Sequence, residues 1–296
     1  MAGTAPIVLS GPAFGAGWTF AAAGPFDEGA LRRAFDAVIA SVDASTSPFR
    51  SDSEVARFNR ADTIGWQPLS PATCAVLDEA LRVAQLTGGV FNPTVGPVVG
   101  RYGFGPIIEG EPGSPQDIVL GNGEARKRRA SLSLDLCGIA KGHALDRMAD
   151  ACRELGLTDF LVELGGEVFA TGRHPSGRHW QVGVESPTVG GAFQRIVALD
   201  GTSLATSGNR VNAYRWGGKG YTHIIDPSTG MPADSALGSV TVAAGTAMRA
   251  DALATALYAM GPERGPAFAR GAGVRALFIL TDGTEIATDG FEELIH

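Results

Sequence analysis

The amino-acid sequence predicts an α+β fold in which antiparallel sheets pack against helices. Three observations support this. Segments with helical spacing of apolar residues occur before residue 160 and again near residue 250. Short β-branched segments bounded by Gly, Pro or Asp fill much of the second half. No fixed-period repeat or low-complexity linker divides the chain. Its 296 residues are therefore expected to form a single domain over 1–296, built as one unit or as two intimate subdomains.

The helix predictions rest on apolar spacing and on cap residues. After Asp27, the residues Leu31, Phe35 and Val38 recur at steps of three and four, which gives the segment one apolar face. Ser70 followed by Pro71 is typical of a helix start. The predicted helices are 27–45, a short helix capped by Ser53, 71–87 ending before Gly88 and Gly89, 139–155, and 246–260 ending at Gly261 and Pro262.

The strand predictions rest on alternation and on turn residues. Residues 100–130 carry the weakest pattern, and the RKRR run at 126–129 is expected to be a solvated face or turn rather than an RNA contact. The predicted strands are 14–22, 131–135 (SLSLD), 160–166, 180–186, 195–201, 221–226 (YTHIID, with His223 on the strand), 239–245 and 275–281.

Composition excludes several classes of protein. Basic residues number 24 and acidic residues 31, so the net charge of −7 argues against a broad nucleic-acid-binding surface. The three cysteines include no C-x-x-C pair, which argues against a disulfide framework or zinc site and favours the reducing cytoplasm. We expect no signal peptide and no lipobox, since no basic n-region precedes an apolar run. No stretch approaches the ~20 apolar residues of a membrane span.

The common catalytic motifs are missing from the chain. There is no P-loop, no G-x-G-x-x-G dinucleotide fingerprint, no H-E-x-x-H and no G-x-S-x-G elbow. Any chemistry must therefore come from other groups of residues.

Two helical segments carry candidate ion-binding residues. In LDLCGIAKGHALD, a Gly-containing turn opens a helix with Lys141 one turn in, which suits an anion. A solvent-facing lysine at a helix start explains the same pattern. In MRADALATALYAMG, Asp251 and Thr255 share one helix face and offer oxygen ligands for Mg²⁺. An acid favoured by the helix dipole, with Thr255 facing the core, is the alternative.

Three further segments hold candidate binding or catalytic residues. His223 is a candidate base near neutral pH, although a lone strand histidine is more often structural. The Gly-rich loop GGVFNPTVGP (88–97) is either a pocket wall or only a rigid loop. Phe49, before the helix capped by Ser53, is either a stacking surface or a core residue.

In their order along the chain, these segments resemble the ApbE family, the FAD:protein FMN transferases formerly called thiamine-biosynthesis lipoproteins. The resemblance runs from about residue 14 to about residue 280. Each motif is weak alone, and the ordered set is specific. The matching motifs are SDSEVARFN, GGVFNPTVGP, LDLCGIAKG, LVELGG, LATSGN, HIIDPSTGMP, SVTV and ADALATAL.

The resemblance implies an ApbE-like, T-fold-related architecture and a reaction. FAD binds with Mg²⁺ at its diphosphate, a Thr or Ser hydroxyl in the flavinylation motif of an acceptor protein attacks the FMN phosphorus, and AMP leaves. FAD is thus a substrate and Mg²⁺ a cofactor. Two alternatives remain at this point: an FAD pyrophosphatase, in which water attacks to give FMN and AMP, and a flavin-binding protein without turnover.

The resemblance also assigns roles residue by residue. It implies that Asp251, Thr255 and the backbone carbonyl of Gly138 bind Mg²⁺, and that His223 is catalytic. Two departures from the family pattern are Asn92, where an acid is usual, and Cys137, where Gly or Ser is common. The residues that match FAD contacts are Phe49, Val90, Phe91, Asn92, Asp135, Lys141 and Ile225.

Overall fold

The computed structural model describes residues 5–187, 192–209, 213–216, 219–233 and 236–295. Asp27, Ser53, Ser70 and Thr246 each accept a hydrogen bond from an amide of the first turn of a helix. Such a cap stabilises a helix by about 1 kcal/mol. The helices are α1 (Glu28–Thr46), α2 (Glu54–Arg60), α3 (Pro71–Leu86), α4 (Gly96–Arg101), α5 (Cys137–Glu154) and α6 (Ala247–Gly271), with 3₁₀ turns at Pro115–Asp117 and Glu292–Leu294.

The strands pair antiparallel throughout the described residues, which confirms the predicted α+β class. The strands are β1 (Ile7–Ala13), β2 (Ala16–Ala22), β3 (Gln67–Pro68), β4 (Ile118–Leu120), β5 (Glu124–Lys127), β6 (Phe160–Leu164), β7 (Glu167–Thr171), β8 (Trp180–Glu185), β9 (Phe193–Leu199), β10 (Thr202–Gly208), β11 (Ala213–Trp216), β12 (Lys219–Thr222), β13 (Ile225–Asp226), β14 (Met231–Pro232), β15 (Leu237–Ala244), β16 (Arg275–Leu280) and β17 (Glu285–Ala287).

One eight-stranded sheet organises the described part of the chain, in the order β1-β2-β6-β7-β10-β15-β16-β17. Successive strand residues face opposite sides. On β16, Phe278 faces the helices while Leu277 faces the β8–β9 hairpin. Helices α1, α3, α5 and α6 therefore cover one face and the hairpin covers the other. A three-stranded sheet, β3-β5-β4, and the pairs β11–β12 and β13–β14 lie outside this sheet.

Two predicted strand boundaries are wrong. The segment 14–22 is only the second arm of the β1–β2 hairpin, whose turn places Phe14 and Gly15 at positive φ. Residues 131–135 belong to no strand. The Asn59 side chain takes the place of a neighbouring strand there. Its Nδ2 donates to the Leu134 carbonyl at 2.8 Å, and its Oδ1 accepts from the Leu134 amide at 2.7 Å.

The basic run at 126–129 is predicted to be a solvated face or turn. This prediction is wrong at one position. Lys127 is 1 % exposed because β5 alternates and turns this side chain inward. Its ammonium donates to the carbonyls of Asn59, Ala61 and Ala130 at 3.2, 2.8 and 2.7 Å. Burial lowers the pKa of Lys127. Because the three carbonyls replace water around the charge, this lysine ties β5 to the end of α2.

The last long helix breaks where the sequence predicts its end and then continues. Gly261 has φ 77° and ψ −176°, and the helix resumes through Pro262 and Pro266 to Gly271. The left-handed φ suits glycine, and Pro262 is tolerated because it lies in the first turn of the resumed helix. The described residues contain no helix with the length and hydropathy needed to cross a membrane.

Candidate active site

Helices α5 and α6 touch through their backbones at the centre of the site. Gly142 permits this contact, because a Cβ there would lie 2.3 Å from the Ala247 carbonyl oxygen. Across the contact, the Gly142 amide donates to Asp251 Oδ2 at 3.0 Å. Asp251 is only 4 % exposed. The predicted acid of α6 is therefore directed at the first turns of α5.

A second acid fixes where α6 begins. The Asp146 carboxylate, on α5, accepts hydrogen bonds from the Ala247 and Met248 amides at 2.7 and 2.9 Å. Burial raises the pKa of Asp146 to about 6, although these two amides favour the charged form. Because these amides have no partner inside the helix, Asp146 satisfies them. It thereby sets the register that places Asp251 over Gly142.

Thr255 lies one turn after Asp251 and faces the start of α5. A Cβ on Gly138 would lie 3.2 Å from Thr255 Oγ1 and 3.5 Å from the Phe91 ring. Ser207, on β10, places its hydroxyl 3.4 Å from Thr255 Oγ1. The structure thus brings together the backbone of Gly138, the Thr255 hydroxyl and the aromatic ring of the 88–97 loop.

Lys141 and Glu167 form an ion pair beside this group. Lys141 Nζ lies 2.5 Å from Glu167 Oε1 and 3.5 Å from the Gly165 carbonyl oxygen. Burial lowers the pKa of Lys141, but the attraction of Glu167 and Asp251 outweighs it and raises that pKa overall. Burial raises the pKa values of Glu167 and Asp251, and the nearby lysine only partly opposes the shift. Two buried acids and one partly exposed lysine therefore interact here.

The 88–97 loop packs against the residues that precede α5. The Asp135 amide donates to the Pro93 carbonyl at 2.7 Å, and Asp135 Oδ1 accepts from the Cys137 amide at 2.9 Å. Asn92 holds the loop together: its Nδ2 donates to the Gly113 carbonyl at 2.9 Å, and its Oδ1 accepts from the Thr94 amide at 2.9 Å. Where the family pattern has an acid, the Asn92 amide can serve as donor and acceptor at once.

His223 lies in a bend between β12 and β13, so the prediction that a strand carries it is wrong. Its imidazole ring lies 6.2 Å from the Phe104 ring in an edge-on arrangement. The Phe104 ring stacks on Tyr214 at 5.2 Å, Tyr214 stacks on Tyr221 at 5.2 Å, and Tyr221 stacks on Tyr102 at 6.1 Å. We call Tyr102, Phe104, Tyr214, Tyr221 and His223 the aromatic rim.

Six predicted residues lie on three segments that meet at this site. Phe91 is on the 88–97 loop, Asp135, Gly138 and Lys141 are at the start of α5, and Asp251 and Thr255 are on α6. The other predicted residues have different surroundings. Phe49 is 69 % exposed after α1, so it is no core residue. Val90 packs at the edge of the helix-side core, and Ile225 is buried on β13 opposite Pro232.

Sequence reasoning missed three residues of the site. Gly142 and Ser207 carry no signal in one sequence, because their importance lies in what they touch. Glu167 does carry a sequence signal, because this acid follows Gly165 and Gly166 directly and begins the strand EVFAT, whose next three residues are apolar. A charged residue at an inward strand position usually needs a partner or a function.

Together, the α+β fold and an acid, a hydroxyl and a lysine around a helix start define a class of protein whose site has the chemistry to bind an anion and a hard metal ion. Residues 14–278 match the model of the ApbE family. The chain belongs to this family.

Similar proteins cover nearly the whole chain. A Vibrio cholerae protein named FAD:protein FMN transferase is 35 % identical, over 97 % of this chain and 90 % of its own. The solved structure of flavin transferase ApbE from Vibrio cholerae matches with a TM-score of 0.87 at 33 % identity, covering 98 % and 99 % of the two chains. The solved structure of Pseudomonas stutzeri flavinyl transferase ApbE, apo form, matches with a TM-score of 0.88 at 32 % identity, and the match covers 98 % of this chain and 96 % of that chain.

Proposed function

We propose that this protein is an FAD:protein FMN transferase. A Thr or Ser hydroxyl oxygen of an acceptor protein forms a bond to the FMN phosphorus of FAD, the bond from that phosphorus to the bridging oxygen breaks, and AMP leaves with that oxygen. The family match over residues 14–278 supports this, as does the name of the Vibrio cholerae relative. The observation that carries the proposal is the α5–α6 contact, where Asp251 is buried against the Gly142 amide.

The oxygen atoms at this contact fit Mg²⁺. In a regular helix the Gly142 amide is the donor to the Gly138 carbonyl. The same amide donates to Asp251 Oδ2 at 3.0 Å, which brings the carboxylate to the first turn of α5. Asp251, Thr255 and that carbonyl would hold the ion with hard oxygen ligands. The described residues contain no group of three His, Cys, Asp or Glu that could hold a metal ion. Mg²⁺ does not need one, since it keeps waters and substrate phosphates as ligands. When bound, it neutralises charge that develops on the diphosphate.

The remaining predicted residues would bind the nucleotide. We infer that Lys141 donates to the diphosphate from the first turns of α5, with Asp135 at the entrance to that helix. Phe91 and Val90 would face the flavin from the 88–97 loop, with Asn92 fixing the shape of the loop. Phe49 is exposed and would stack on an aromatic ring of FAD. Ile225 is buried on β13 and would contact FAD there.

We infer that His223 takes the proton from the acceptor hydroxyl. Its ring borders Phe104 in the aromatic rim, outside the group formed by Gly138, Asp251 and Thr255. A base on this rim can meet a protein substrate that arrives from solvent, because Tyr214 on the same rim is 41 % exposed. General-base catalysis contributes ~10²–10⁴-fold to rate.

The test is incubation with FAD, Mg²⁺ and an acceptor peptide containing a flavinylation motif, with mass spectrometry of the peptide. The transferase gives a peptide heavier by one FMN minus one water, as the phosphoester requires, and an equal amount of AMP. AMP and free FMN without a modified peptide would instead indicate the pyrophosphatase. FAD binding without AMP release would indicate a binding protein. Chelation with EDTA should abolish turnover, and added Mg²⁺ should restore it.

Two broader predictions accompany the proposal. We infer that residues 1–296 act as one domain, because strands from both ends of the chain share the eight-stranded sheet. The cytoplasmic location expected from the cysteine content stays a prediction, which cell fractionation of the native protein would test.

A further inference from the structure

Glu167 is a buried acid to which neither the sequence motifs nor the mechanism above assigns a role. It opens β7 directly after Gly165 and Gly166, whose φ angles of 60° and 104° form the turn. Its side chain is 2 % exposed. One oxygen, Oε1, is bonded to Lys141 Nζ at 2.5 Å. The other, Oε2, is buried without a hydrogen-bond partner among the described residues.

Lys141, the ion-pair partner of Glu167, is accessible to a ligand. The Lys141 side chain is 37 % exposed, and its ammonium has three hydrogens. Glu167 takes one, and the Gly165 carbonyl lies at a weak 3.5 Å. The stem of the lysine is confined as well, because a Cβ on Gly165 would lie 3.6 Å from Lys141 Cδ. The ammonium is therefore anchored on its buried side and retains hydrogens on its open side.

Stability alone does not account for this pair. Burying a carboxylate costs several kcal/mol, and an apolar residue of similar volume often stabilises a fold as well or better. An unpartnered buried oxygen adds a further cost. We propose that Glu167 is a positioning residue, which holds the Lys141 ammonium toward the diphosphate of the flavin nucleotide.

This inference rests on the proposed function, and binding measurements separate the two. FAD binding is measured by quenching of flavin fluorescence, and unfolding by a thermal melt without ligand. Glu167→Gln should weaken FAD binding by about tenfold or more, as loss of an outer-shell partner typically does. Its Tm should be unchanged or higher. Glu167→Asp, which keeps the charge on a shorter stem, should recover part of the affinity.

A double-mutant cycle tests whether Glu167 acts through Lys141. Lys141→Gln should weaken binding at least as much as Glu167→Gln, and the double variant should be no weaker than Lys141→Gln alone. The matched control is Glu163→Gln, whose side chain accepts from the Gly166 amide at 2.8 Å on the same turn. An amide oxygen can still accept that bond, so this variant should bind FAD like the parent.

Several results would overturn the inference. Glu167→Gln with parental FAD affinity would do so, as would losses that add in the double variant. A Glu167→Gln protein that melts several degrees lower, with affinity restored at low temperature, would make the acid structural. If the parent protein itself fails to bind FAD, the proposed function falls instead.

Discussion

The α5–α6 contact and the aromatic rim hold their functional groups by different means. At the contact, backbone amides fix the acids: Gly142 donates to Asp251, while Ala247 and Met248 donate to Asp146. At the rim, His223 lies in a bend between short strands, next to rings that stack on one another. A carboxylate fixed by such hydrogen bonds suits a metal ion on a diphosphate, because it needs no rearrangement during reaction. A ring surface that is partly open suits a protein partner.

This difference predicts two kinds of variant. Substitutions at the contact should disturb nucleotide and metal binding together with stability, because the same hydrogen bonds serve both. Substitutions at the rim should leave FAD binding and folding largely intact and impair the transfer step.

Asp251→Ala should have the largest effect. Removing the one carboxylate proposed to bind Mg²⁺ costs several kcal/mol of transition-state stabilisation, or about a thousandfold in transfer rate. The measurement is the rate of FMN transfer at saturating FAD across a Mg²⁺ titration. Asp78→Ala, at an exposed ion pair with Arg82 on α3, is the matched control and should transfer at the parental rate. Parental transfer by Asp251→Ala would refute the metal assignment.

His223→Ala tests the rim. Transfer should fall by ~10²–10³-fold, in the lower part of the ~10²–10⁴-fold that a general base contributes. The Kd for FAD should change by less than threefold, because the hydrogen bonds at the α5–α6 contact remain. The measurement pairs a single-turnover transfer assay with FAD titration of the same protein. An equal loss of binding and transfer would show that His223 belongs with the nucleotide site.

The sequence was most informative where local chemistry decides structure. The caps at Ser53 and Ser70 begin helices as predicted, the helix predicted from Asp27 begins one residue later with Asp27 as its cap, and Gly261 breaks α6 where the Gly-Pro pair indicated. Caps and breaks depend on a few adjacent residues, so one sequence suffices to find them. The predicted spacing of Asp251 and Thr255 also holds, because both lie on one continuous helix before that break.

Prediction failed where distant residues decide the outcome. The alternation in 131–135 is real, since Leu132 and Leu134 are buried. The Asn59 side chain, however, pairs with this segment in place of another strand. Lys127 is buried where the carbonyls of Asn59 and Ala61, from a segment more than sixty residues earlier, join the Ala130 carbonyl around its ammonium. Gly142 and Glu167 likewise gain their importance from contacts across the fold.

Gly142→Ala tests the contact through packing alone. The added methyl would lie 2.3 Å from the Ala247 carbonyl oxygen, which must move with its helix. Overpacking of this kind destabilises by up to ~3 kcal/mol, and it should also weaken FAD binding by separating Gly138 from Thr255. The measurement is urea unfolding together with FAD titration. In Gly24→Ala the new methyl meets nothing within 4 Å, so that control should behave like the parent.

The smallest expected effect is a change in how stability depends on pH. His143, next to Gly142 on α5, is 8 % exposed, and burial, assisted by Arg147 and opposed by Asp150, lowers its pKa to about 4. Between the unfolded value near 6.5 and pH 4, the unfolded chain binds more protons than the folded one. Stability is therefore lost as the pH falls through this window, by ~2 kcal/mol at pH 5.

His143→Gln removes this titration. Urea unfolding at pH 7 and pH 5 should show the parent losing ~2 kcal/mol more than the variant between the two conditions. Asp146 contributes with the opposite sign, because its raised pKa stabilises the fold as the pH falls below about 6. That contribution is common to both proteins, and it cancels in the difference. Parallel pH profiles would mean that His143 is solvated in the folded protein and does not contribute to the pH dependence of stability.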